Sequence, residues 1–128
     1  MNGQTPFGAL DGSRIVGEDT MFVVTWDKYP VSPGHCLIIA KRQAERFSEL
    51  SADEEFGVMH WIDLSMRHLQ QSLRPEPDGF NVGFNDAAAA GQTVKQFHVH
   101  VIPRYKGDVP DPRGGIRWVI PETAKYWT

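Results

Sequence analysis

The sequence predicts an α+β fold built on a mainly antiparallel sheet, and three observations carry that prediction. Segments with the period-2 alternation of half-buried strands stand on both sides of one long stretch with helical spacing. The connections between strands are of hairpin length, which suits antiparallel pairing better than crossovers. Neither a repeat nor a linker interrupts the 128 residues, so a single domain over 1–128 is expected, with residues 106–128 as a loop-rich tail.

The elements follow in order. Residues 14–18 read as a short strand, and residues 21–26, rich in β-branched and aromatic side chains, as a stronger one. Tyr29-Pro30-Val31-Ser32-Pro33-Gly34 is a turn, because two prolines fix φ and Gly34 relaxes it. Residues 35–40 then return as an antiparallel partner. Ser51-Ala52-Asp53-Glu54 is a capping box, and a helix is expected to run from it to about Leu73. Phe56, Met59, His60, Ile62, Met66, Leu69 and Leu73 are its expected core face. Pro75 and Pro77 end it. Residues 79–85 alternate again, with Phe80, Val82 and Phe84 on one face and Asn81, Gly83 and Asn85 on the other. A small-residue connection, 87–91, leads into the last clear strand. Beyond it, residues 116–120 are expected to be a strand or a tail that packs on a partner.

Composition narrows the function classes. A net charge of -3 without a basic stripe argues against gripping a nucleic-acid backbone, though not against binding one nucleotide. The single cysteine, Cys36, cannot close an intrachain disulfide, which suits a reducing compartment. No secretory signal is visible at the N-terminus, and no apolar run reaches the ~18 residues of a membrane span. A cytoplasmic protein without membrane contact is the expectation.

The most informative stretch is Gln96-Phe97-His98-Val99-His100-Val101-Ile102-Pro103. Its alternation puts Gln96, His98 and His100 on one face and Phe97, Val99 and Val101 on the other. Three consecutive polar positions are a costly strand face unless something polar docks there. Imidazoles titrate near neutrality and serve as nucleophiles, bases or metal ligands. Three readings stay open on residues alone: half of a metal site, with His35 as a distant third ligand; a histidine nucleophile or base acting at phosphorus; or a pocket that only binds. Gly91-Gln92-Thr93 offers a flexible backbone, an amide and a hydroxyl for phosphate, with Lys95 and Arg104 beside it as cations or ordinary surface charges. His35 either fixes its turn or joins the site. His60 and His68 read as boundary or solvent-facing helix residues.

Residues 91–104, Gly91-Gln92-Thr93-Val94-Lys95-Gln96-Phe97-His98-Val99-His100-Val101-Ile102-Pro103-Arg104, resemble the signature of the histidine triad (HIT) superfamily of nucleotide hydrolases and transferases. The likeness extends through residues 27–35 and Asn85-Asp86. In detail it resembles the fragile-histidine-triad branch and the small bacterial proteins described as diadenosine polyphosphate hydrolases. The resemblance implies a HIT-like fold: a five-stranded mainly antiparallel sheet, one long helix and a shorter helical segment, with a homodimeric assembly and a pocket on the sheet for a small-molecule nucleotide. It implies that His98 attacks the α-phosphate and carries the nucleotidyl group while His100 supports the transition state. It further implies that Asn85, Gln92 and Thr93 hold phosphate oxygens and the leaving group, Asp27 the ribose hydroxyls, and His35 a supporting place. Phe22 and Ile38 would sandwich the base. Two positions depart from the pattern: Gln96 stands where the first triad histidine belongs, and Ala87 stands where relatives often carry glycine.

The expected function is a hydrolase or transferase that cleaves at the α-phosphate of a nucleotide conjugate, of dinucleoside polyphosphate or nucleoside phosphoramidate type, through a nucleotidyl-histidine intermediate. That route requires no protein-bound metal or cofactor; Mg²⁺ would enter only with a polyphosphate substrate. The alternatives are a weakly active or inactive nucleotide-binding regulatory module, resting on Gln96, and a metalloenzyme using His98 and His100.

Overall fold

A computed structural model describes residues 4–5, 7–9 and 11–128. Two short strands, β1 (Gln4–Thr5) and β2 (Gly8–Ala9), pair antiparallel ahead of the main sheet. The sheet is formed by β3 (Ile15–Glu18), β4 (Phe22–Trp26), β5 (Cys36–Ala40), β6 (Gly79–Gly83) and β7 (His98–Arg104). Its order is β3-β4-β5-β7-β6, and every neighbouring pair is antiparallel. The last strand therefore inserts between β5 and β6, with β5 and β7 flanked on both sides.

Register decides which residues meet. Leu37 lies opposite His100, Ile39 opposite His98, and Gly83 opposite His100 on the other side. Because side chains alternate, Cys36, Ile38, Val99 and Val101 share the opposite face with Phe22 and Val24, where they form the main core. The helix α1 (Ala52–Ser72) covers that face and leaves the histidine face uncovered by it. Phe22 and Ile38 are both fully buried in this core. They cannot sandwich a base bound beside His98, which corrects the expectation placed on them: adjacent strand positions point to opposite faces of the sheet.

The helix starts where the capping box predicts. The Ser51 hydroxyl accepts from the Glu54 backbone N–H (3.1 Å), and the Glu54 carboxylate accepts from the Ser51 N–H (2.8 Å). Its inward stripe differs from the expected one at the N-terminal end. Phe56 (79% exposed) and Met59 (66%) face outward, as does His60 in keeping with its solvent-facing reading, while Glu54, Gly57, Val58, Ser65 and Leu69 are buried. Gly57 is the reason. A Cβ there would come within 2.6 Å of Phe22 Cε2, so the absent side chain lets the helix settle on β4. A glycine inside a helix carries no hydrophobic signal, so counting large apolar residues draws the stripe about one position off. His68 is exposed as expected.

Residues 116–120 are not a strand: Gly115–Val119 form a 3₁₀ turn, followed by the short helix α2 (Pro121–Ala124). Gly114 and Gly115 both take positive φ (90° and 42°), which coils the chain tightly rather than extending it. Among the described residues no helix is long and apolar enough to cross a membrane.

Candidate active site

Three connections build the site onto the open face of the sheet. Residues 27–35 close as a loop, with the Asp27 N–H donating to the His35 carbonyl (3.0 Å) and the Ser32 hydroxyl donating to the Pro103 carbonyl (2.6 Å). The loop delivers Asp27 and His35 beside β7. Residues 84–97 make a second loop, turning at Ala88–Ala90 and at Gly91, where φ is 95°. Phe7 is laid against the sheet from the N-terminal side, packed, as Ile15 is, against the cluster of Val23, Leu37 and Ile39.

Between them lies a cavity of about 550 Å³, whose lining includes His98, His100, Asp27, Asn85 and Thr93. His35 touches it from behind, its Nε2 2.9 Å from His100 Nδ1. Two expected residues are placed differently. The Gln92 amide is spent on backbone: its Oε1 accepts from the Ala87 N–H (2.8 Å), and its Nε2 donates to the carbonyls of Glu45 (2.8 Å) and Val94 (3.2 Å). Gln96 is fully buried and does not line the cavity; its Nε2 donates to the Ala40 carbonyl and its Oε1 has no partner. Lys95 is exposed, and Arg104 is engaged by Asp108 (2.8 Å) and Asn81 (2.6 Å). The cavity's cations are instead Arg14 and Lys28. Phe7, Arg14, Lys28 and Leu37 were absent from the residues singled out by sequence. Leu37 was findable from register with the histidine strand and Lys28 from its place beside Asp27 in the stretch 27–35, whereas Phe7 and Arg14 carry no local signal.

The hydrogen-bond partners assign the protons on the three imidazoles. His98 Nδ1 lies 2.8 Å from the Gln96 carbonyl oxygen, which can only accept. Nδ1 therefore carries the proton and Nε2 keeps its lone pair. His35 Nδ1 lies 3.1 Å from the Val31 N–H, which can only donate, so the His35 proton is on Nε2. That Nε2–H donates to His100 Nδ1, which puts the His100 proton on its own Nε2. Neighbouring positions on one strand face thus present opposite polarities, a lone pair at His98 and a donor at His100. Asp27 is held by the Tyr29 N–H (2.7 Å), and its other oxygen is 3.3 Å from His35 Nε2.

Burial keeps all three rings neutral. It lowers the His98 pKa, against a raising effect from the Gln96 carbonyl. His100 is pushed down to about 4, first by burial and then by the neighbouring His98 and His35. His35 is lowered by burial, which outweighs the pull of Asp27, so that pair is a polar contact rather than an ion pair. Phe7 packs edge-on against His98 with ring centres 4.8 Å apart, adding to the dry surroundings of that imidazole. Cys36 lies in the core on the opposite face, its thiol pushed up to about 12 by burial, and is chemically inert there.

A metal through His98 and His100 does not match the geometry. Among the described residues, the group whose ligand atoms come together is Asp27, His35 and His100, all within 4.8 Å, without His98. Its donor set also conflicts with the backbone. A histidine that ligates through Nε2 keeps its proton on Nδ1, where the Val31 N–H already points.

Comparison with known proteins places the chain among relatives. A family model described as the HIT domain matches residues 11–107. An uncharacterized HIT-like protein of Methanocaldococcus jannaschii is 32% identical over 108 residues, covering 84% of this chain and 77% of that one. The asymmetrical bis(5'-nucleosyl)-tetraphosphatase of Schizosaccharomyces pombe is 37% identical over 99 residues, covering 76% of this chain; the match spans about half (52%) of that enzyme's length. A hypothetical histidine triad nucleotide-binding protein of Sulfolobus tokodaii superposes with a TM-score of 0.70 at 35% identity, covering 80% of this chain and 66% of that one.

Proposed function

We propose that this chain, a member of the HIT domain family, is a nucleotidyl hydrolase or transferase that cleaves at the α-phosphate of a nucleotide conjugate by a two-step route. The observation that carries the proposal is the fixed tautomer of His98: the Gln96 carbonyl holds its Nδ1–H, leaving a neutral Nε2 lone pair in a cavity that already contains a donor, His100. His98 Nε2 attacks phosphorus, the bond to the leaving group breaks, and the leaving group keeps the electron pair. Water then attacks the nucleotidyl-histidine, the P–N bond breaks, and the nucleoside monophosphate departs. His100 Nε2–H donates to a phosphate oxygen as charge develops. Asp27 receives the ribose hydroxyls, Arg14 and Lys28 balance the phosphate charge, and Asn85 and Thr93 bind its oxygens. The route passes through no protein-bound metal, and Mg²⁺ enters only as the companion of a polyphosphate substrate.

Similarity to a tetraphosphatase supports a dinucleoside polyphosphate as one candidate conjugate. We also propose that the working unit is a homodimer, supported by the exposed apolar side chains Phe56 and Met59 on α1 and Ile116, Val119 and Ile120 on the tail. The experiment that tests the reaction is rapid acid-free quenching with a labelled adenylate, followed by peptide mapping. A nucleotidyl adduct on His98 is expected, and His98→Ala should lower kcat/KM by about 10⁴-fold or more. Unchanged turnover in that variant would overturn the proposal.

A further inference from the structure

Arg14 and Lys28 line the cavity, and neither forms an ion pair with a described residue. Arg42, Arg46, Arg104 and Arg113, by contrast, each lie on a carboxylate. One Arg14 N–H group donates to the Trp26 carbonyl (3.2 Å), next in the chain to Asp27. Lys28 follows Asp27 directly, and its Nζ stands 5.9 Å from the centre of the exposed Tyr29 ring, itself part of the cavity lining. Both cations are thus gathered about Asp27, the carboxylate of that lining.

Sheet order sets these cations apart from the place of phosphoryl transfer. His98 and His100 stand on β7, and Asn85, Gly91 and Thr93 come from the loop between β6 and β7. Lys28 lies just past β4 and Arg14 just ahead of β3, two and three strand positions from β7, at about 4.8 Å per position. A nucleotide with its α-phosphate at His98 and its ribose hydroxyls at Asp27 turns its 2' and 3' oxygens toward the cations. A hydroxyl there needs an acceptor, which Asp27 supplies, and gains nothing from two full positive charges. A phosphate group gains charge-assisted hydrogen bonds from both, and the guanidinium suits it through paired donors.

We propose that Arg14 and Lys28 form a subsite for a second phosphate group, esterified to the 2' or 3' oxygen of the bound nucleotide's ribose. The remaining ribose hydroxyl is left to Asp27. The inference rests on the nucleotide site assigned above and adds a substrate class to it: conjugates of a ribose-phosphorylated nucleotide. In that class the two cations meet the ribose phosphate at contact distance, and act on the α-phosphate only through the longer-range field of the cavity.

The test is calorimetry on the full chain with four ligands: adenosine 5'-monophosphate, adenosine 5'-diphosphate, and the 2',5'- and 3',5'-bisphosphates of adenosine. The diphosphate carries the same extra phosphate on the 5' side and so controls for charge alone. One bisphosphate should bind at least about 10-fold tighter than the monophosphate, and tighter than the diphosphate. Which of the two does so assigns the 2' or the 3' position. Lys28 is exposed, so Lys28→Gln should keep the fold. Lys28→Gln and Arg14→Gln should each weaken the favoured bisphosphate at least about 3-fold more than the monophosphate, which loses some affinity as well. Bisphosphates bound no tighter than the monophosphate, a diphosphate bound as tightly as the better bisphosphate, or a preference that survives both substitutions overturns the subsite. Monophosphate binding in those cases leaves the nucleotide site standing. If none of the four binds, the nucleotide site itself has failed and the subsite falls with it.

Discussion

His98 keeps its Nδ1 proton against the Gln96 carbonyl, and that carbonyl is present whatever side chain stands at position 96. The side chain itself is turned into the protein, tied to Ala40, and outside the cavity. The amide at 96 therefore has no direct hold on the reacting atoms. Gln96→His should change kcat/KM by less than about 10-fold, far below the effect at His98; a restoration or loss beyond that in steady-state kinetics would return the first triad position to the chemistry. A nucleotide-binding module without turnover rests on Gln96 alone, and this placement weakens it. Neutral histidines also set a pH dependence. Burial lowers the His98 pKa, so the lone pair survives acidification below the ordinary imidazole value of about 6.5. The acid limb of kcat/KM should accordingly lie below pH 6.5, which a pH–rate profile measures. Stability follows the same sign. Between about 6.5, where an unfolded histidine takes a proton, and about 4, where folded His100 does, the unfolded chain binds more protons, so stability falls as pH drops through that window. Ala87 is a residue-scale oddity with a physical reading: its φ of 79° and ψ of 163° belong to glycine's territory, so the position carries backbone strain that a glycine would relieve.

At the scale of elements, the helix cap was legible because its chemistry is local. Ser51 and Glu54 satisfy each other's backbone groups within one turn, and nothing distant can change that spacing. What the sequence does not reveal is the third partner. Arg42, from the connection after β5, donates to both Glu54 oxygens (2.7 Å from Nη2, 3.2 Å from Nε) and holds its carboxyl below the usual range. Glu54 is thus buried as the joint between helix and sheet connection, although Arg42 is half exposed and screened by water. Glu54→Ala strands the Ser51 N–H and the Arg42 guanidinium together. It should cost about 2 kcal/mol in a urea titration, against a few tenths for an exposed acid such as Glu55. The histidine strand was legible for the same reason as the cap: alternation is a property of neighbours. The inward stripe of α1 was not, because it depends on Gly57 and Phe22, 35 positions apart in the chain and in contact only in the fold.

Across the whole molecule, the site is a product of topology more than of motif. Inserting β7 between β5 and β6 puts His100 between Leu37 and Gly83 and sets His98 beside Ile39, with the helix confined to the opposite face. Asp27 and His35 reach the histidines through the loop that joins β4 to β5, while Phe7 and Arg14 arrive from the N-terminal side. Those last two were invisible in the sequence because nothing local to them records where the chain returns. The same arrangement leaves β6 as a sheet edge, with apolar side chains unburied on α1 and on the tail. Phe56 and Val119 at 79% exposure, with Met59, Ile116 and Ile120 at 59% or more, are more apolar surface than a chain of 14.4 kDa gains by leaving wet. A second copy would cover part of it and pair or shield the edge. Sedimentation equilibrium at micromolar concentration should return twice 14.4 kDa. Phe56→Asp combined with Met59→Asp should shift the mass toward the monomer if α1 contributes to the contact, with the native circular dichroism retained because both side chains are exposed. A mass of one chain for the unmodified protein at about 100 μM, above the dissociation constants of specific interfaces, would remove the homodimer from the proposed function.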